Sequence, residues 1–111
     1  MILALDTAAP EGGVALLHDS KIVSADLGPL GKHAELVVTR VEELLQQMNS
    51  QPKDVSSVVV NVGPGSFTGI RIGIAAALGF AESLEVPAGG LGGLSIQAWA
   101  WMLAHPESLP N

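Results

Sequence analysis

A chain of 111 residues has room for one small domain, and 48% of them are apolar while 14% are charged. Charge that sparse, against a norm of about 25%, leaves apolar surface for a partner or a further domain. A net charge of −6 with five Lys and Arg excludes a phosphate-neutralising stripe. The lack of cysteine excludes a disulfide framework, thiolate chemistry and Cys-ligated zinc, in keeping with a reducing cytoplasm.

The apolar run 2–5 follows no basic segment and stops at Asp6, so it reads as a strand buried on both faces rather than a signal peptide. Ala9-Pro10-Glu11-Gly12-Gly13 supplies turn residues. Residues 14–17 and 22–27 read as two further strands about a tight turn at 18–21, which makes a three-strand antiparallel meander. After the Gly28-Pro29-Leu30-Gly31 break the period becomes helical over 33–48, with Ala34, Val37, Val41, Leu44, Leu45 and Met48 on one face. Pro52 ends that helix.

The β-branched run 55–62 predicts another interior strand. Gly63-Pro64-Gly65-Ser66-Phe67-Thr68-Gly69 is a glycine-rich turn into a helix from about Thr68 to Leu84, and 88–93 predicts a short strand and loop. Ser95 can cap a last helix through Trp99, Trp101 and Leu103, which Pro106 stops. Trp99 and Trp101 lie two apart and cannot share one helix face, so at least one is expected at an interface or against a further domain. The apolar stretch 70–81 is too short and too interrupted by glycine to span a bilayer. The order βββαβα(β)α predicts a mixed α/β sheet with helices on it.

The turn at 63–69 carries the strongest chemical signal. Its glycines let another group approach the backbone, and free N–H groups at a helix N-terminus can bind an anion. Gly63, Gly65, Ser66, Thr68, Gly69 and Arg71 are therefore the candidate anion or nucleotide residues. It is neither a Walker A loop, since no Gly-Lys-Ser/Thr follows, nor the dinucleotide fingerprint, since its spacing is Gly-x-Gly-x-x-x-Gly. A structural turn with Ser66 or Thr68 as N-cap explains the same residues.

Gly63-Pro64-Gly65-Ser66-Phe67-Thr68-Gly69-Ile70-Arg71-Ile72-Gly73, some sixty residues after Ile2-Leu3-Ala4-Leu5-Asp6-Thr7 and with His33 opening the first helix, resembles the bacterial TsaB (YeaZ) family. The resemblance implies an actin-like ATPase (ribonuclease H-like) α/β domain. It places 1–111 as the amino-terminal domain, without the family's second one. It implies a cytoplasmic, non-catalytic subunit of the machinery that places threonylcarbamoyl on tRNA adenosine. Its partners would be TsaD and TsaE homologues and a second copy of itself, with tRNA reached only indirectly and no membrane involved.

No cofactor is required on that reading, and ATP or ADP would bind only within the complex. TsaD-like relatives carry a His-x-x-x-His pair on the first helix for a cation. Here His33 is followed four residues later by Val37, so no metal site and no catalytic residue are expected. His33 is expected as a cap or surface residue, and His18 and His105 have no partner at ligand spacing. Asp6 corresponds to the phosphate-facing aspartate of actin-like kinases. The following Thr7-Ala8-Ala9-Pro10 lacks the glycines of a phosphate hairpin, so Asp6 is expected to serve backbone groups of its turn. Two alternatives stay open: a phosphoryl- or carbamoyl-handling enzyme of the actin-like fold, and a glycoprotease-like metallopeptidase.

The second helix is apolar all round between Ile70 and Ala81 except at Arg71, so both sides need cover. Ile70, Ile74 and Leu78 are expected against the sheet. Gly69, Gly73 and Ala77, four residues apart, are expected as a flat strip for a partner helix, joined by Leu36, Val38 and Phe80.

Overall fold

The computed structural model describes residues 1–8, 11–28, 33–93 and 98. Three strands form the expected meander: β1 (Ile2–Asp6), β2 (Gly13–His18) and β3 (Lys21–Asp26). They pair antiparallel with Leu3 opposite Leu16 and Leu16 opposite Val23. Helix α1 (His33–Gln47) then carries the chain across, so that β4 (Ser57–Asn61) lies parallel to β1 on its other side, Leu3 beside Val58. Helix α2 (Phe67–Leu84) returns it once more, and β5 (Ala88–Leu91) joins parallel to β4. The sheet order is β3-β2-β1-β4-β5. Apart from Ala98, which is helical, the expected last helix over 95–103, with Ser95, Trp99 and Trp101, lies outside the described residues, as do Pro10, the break at 29–31 and His105.

Alternation decides which side of the sheet is core, because successive strand residues point to opposite faces. Leu3, Leu16 and Val58 form one row in register and are wholly buried; Leu5, Val14 and Val60 form the next. Onto them pack Val37, Val41, Leu44 and Leu45 of α1 and Ala77 and Ala81 of α2. The face of α1 is the one its periodicity marks. The opposite sheet face carries Ile2, Ala4, Ala15, Leu17 and Val59, none of them fully buried, and Ile2 is 38% exposed. The expectation that β1 is buried on both faces therefore holds for the helix side alone among the described residues.

The connections follow local chemistry. Asn49 takes the left-handed conformation (φ 50°) that asparagine tolerates, and Ser50 N–H returns to the Leu45 carbonyl at 2.8 Å, closing α1. Pro52 opens a short 3-10 turn, Pro52–Asp54, which periodicity does not reveal. Arg40 donates through Nε to the Asp26 carbonyl at 3.0 Å and through a second nitrogen to both Glu43 carboxylate oxygens at 3.1 Å, tying α1 to the end of β3.

Candidate functional site

Strands β1 and β4 end side by side, and their ends meet the start of α2. Asp6 closes β1 with its carboxylate turned to its own turn: Oδ1 accepts from Ala8 N–H at 3.0 Å and from Asn61 Nδ2 at 3.2 Å. Asn61, 8% exposed at the end of β4, accepts the Gly63 N–H through Oδ1 at 3.0 Å. One amide thus links the end of β1 to the first residue of the glycine turn. Thr7, fully buried, donates its hydroxyl to the Gly69 carbonyl and ties β1 to the first turn of α2. Asp6 serves its turn, as its glycine-poor surroundings suggest. Asn61 and Thr7 are the residues that sequence reasoning passed over. Their signal was a polar side chain at the end of each of two apolar strands.

The glycine turn is shaped by the approach of residues 7–8. Ser66 N–H donates to the Ala8 carbonyl at 3.0 Å. A Cβ on Gly65 would lie 2.7 Å from that same oxygen and 2.9 Å from the Ala8 methyl. Gly65 is required by this contact, whereas Gly63 is required by its backbone, at φ +108°. Ser66 is the N-cap of α2, its Oγ accepting Gly69 N–H at 3.1 Å.

Of the six candidate anion residues, Gly63, Ser66 and Gly69 thus have their N–H groups engaged within the chain. The N–H groups of Phe67 and Thr68 remain at the exposed first turn. Arg71 is exposed and stands over the Phe67 ring, 5.6 Å from its centre, rather than over the turn. His33 opens α1; its side chain lies outside the description. Among the described residues no three His, Asp or Glu side chains gather into a metal-holding group.

The structure reverses the two sides expected of α2. Gly69, Gly73, Ala77 and Ala81 are its buried residues, and they face the sheet. A Cβ on Gly69 would fall on the Thr7 carbonyl oxygen. One on Gly73 would fall on the Thr7 hydroxyl and touch Val60 at 3.0 Å. These small residues let α2 lie directly on the ends of β1 and β4, so Gly69, Gly73 and Ala77 are not available to a partner. Ile74 and Leu78, expected against the sheet, are 36% and 59% exposed. The physical reason is volume: with Thr7 standing above the sheet, only a side of α2 without side chains fits there. By length and composition α2 could cross a membrane, with 22% of it buried; that buried side, at Gly69, Gly73, Ala77 and Ala81, packs on this sheet.

Between α1 and α2 lies an apolar groove of about 500 Å³. Val38 and Phe80 line it, together with Ile72, Ala75, Ala76 and Gly79. Val38 is 52% exposed, Phe80 half-buried, and a Cβ on Gly79 would meet nothing within 4 Å. Leu36 does not line this groove; like Ala76 and Phe80 it packs partly against the domain's own core. A small-residue stripe does border open space on α2, but it is the one at Ala75, Ala76 and Gly79. Nearby on α2, Phe67 is 74% exposed.

Comparison with known proteins places this geometry. The family model described as TsaD, tRNA N6-adenosine threonylcarbamoyltransferase, matches residues 31–110. The tRNA threonylcarbamoyladenosine biosynthesis protein TsaB of Bacillus subtilis is 39% identical over 87 residues, which are 78% of this chain and 38% of that protein. The solved structure of YeaZ from Pseudomonas aeruginosa superposes with a TM-score of 0.84 at 33% identity, over 91% of this chain and 47% of that one. RuvC of T. thermophilus superposes with a TM-score of 0.51 at 16% identity, over 87% of this chain and 67% of that one, and shares the fold alone. The chain thus spans less than half the length of the TsaB and YeaZ proteins it matches, and its mixed sheet is that of the actin-like, ribonuclease H-like fold.

Proposed function

The chain belongs to the TsaB (YeaZ) family, and from that premise we propose that it is a non-catalytic partner subunit in threonylcarbamoyladenosine biosynthesis on tRNA, acting through contacts made by α1 and α2. The observation that carries the reading is the α1–α2 groove, where Val38, Ala75, Gly79 and Phe80 present apolar surface and Ser83 is the polar residue of the lining. A surface helix normally shows water a charged side, and contiguous exposed apolar surface marks a contact site. The partners on this reading are a TsaD homologue, a TsaE homologue and a second copy of the chain, in the cytoplasm. Transfer RNA is reached through those partners, because a net charge of −6 opposes direct binding.

The non-catalytic part of the reading is supported by Asp6, which spends Oδ1 on Ala8 and Asn61, and by the engaged N–H groups of the glycine turn. Any nucleotide or other anion at that turn would have the Phe67 and Thr68 N–H groups to meet it, within the assembled complex.

Gly79→Glu tests the interface without touching the fold. A Cβ at Gly79 meets nothing within 4 Å, and glutamate is a better helix former than glycine by roughly 0.5–1 kcal/mol. The variant should keep its circular dichroism and melting temperature. It should lose self-association in light scattering and lose capture of the TsaD homologue, because a desolvated charge at an apolar contact is strongly unfavourable. A folded Gly79→Glu protein that still dimerises and still captures the TsaD homologue would place the contact elsewhere.

A further inference from the structure

We draw no further inference here: the strongest candidate, the apolar sheet face opposite α1 and α2, where Ile2, Ala15, Leu17 and Val59 lie beside the Asp6 and Asp26 carboxylates, carries nothing because nothing among the described residues shows what covers it.

Discussion

Thr7 is the residue on which the start of α2 turns, and its neighbours make that testable. Gly73→Ala puts a methyl onto the Thr7 hydroxyl and against Val60. Overpacking of this kind costs roughly 1–3 kcal/mol, more than the gain of about 1 kcal/mol that alanine brings to a helix interior, so the variant should be less stable than the parent in urea. Thr7→Ala removes the obstructing hydroxyl. The double variant Thr7→Ala/Gly73→Ala should therefore be more stable than the two single losses added together, with a coupling above about 0.5 kcal/mol. Gly69→Ala meets the Thr7 carbonyl instead, and truncating a side chain cannot relieve a backbone clash. The same double-variant analysis with Gly69→Ala should show no rescue; equal rescue at both positions would refute this division of roles.

At the scale of the element, α2 is an apolar helix held by its ends and by one side. Its start is capped by Ser66. Its end is closed by Glu85 in the left-handed conformation (φ 57°), with Val86 N–H on the Ala81 carbonyl at 3.0 Å. Ser66→Ala removes the acceptor of Gly69 N–H and should cost about 1 kcal/mol. Amide exchange should speed up at Gly69 before it does at mid-helix positions such as Ala77; uniform acceleration along the helix would mean that Ser66 acts on the whole domain and not as a cap. Phe67→Ala should change stability by no more than about 0.5 kcal/mol, since the ring is 74% exposed and surface substitutions away from packed features are near neutral. A larger loss on melting would show the Phe67–Arg71 contact to be structural.

The whole molecule is acidic, and its basic residues are few. An isolated domain of net charge −6 should give no salt-dependent gel shift with tRNA at micromolar concentration, because phosphate contacts dominate such affinity. A shift at 50 mM salt that weakens steeply by 200 mM would overturn this. The purified protein is also predicted to hold no stoichiometric zinc, the first helix pairing His33 with Val37 at the four-residue spacing. Elemental analysis before and after chelation measures that directly.

The meander, the crossover through α1 and the strand–α2–strand unit were legible in order and near their boundaries, because each element announces itself by a local period and the breaks by Gly or Pro, or at 18–21 by Asp and Ser. Helix α1 also revealed its buried side, since polar residues occupy the other one. The glycine motif located the turn before α2, and Ser66 as its cap was one of two readings the residues allowed. The orientation of α2 was not legible. Between Ile70 and Ala81 it offers Arg71 as its one polar residue, so its period gives a helix without saying which side is down.

That choice was made by residues distant in sequence. Thr7 stands where β1 ends and leaves space for Gly69 and Gly73 but not for Ile70 or Ile74, which leaves Ala75 and Gly79 on the exposed side of α2, beside Val38 and Phe80. In the same way the glycines of the turn were expected to let another group approach, and only the fold shows that at Gly65 this group is the Ala8 backbone and methyl. A sequence states which side chains are present; the space left for them depends on chain segments some sixty residues apart coming within van der Waals contact, which only the tertiary fold brings about.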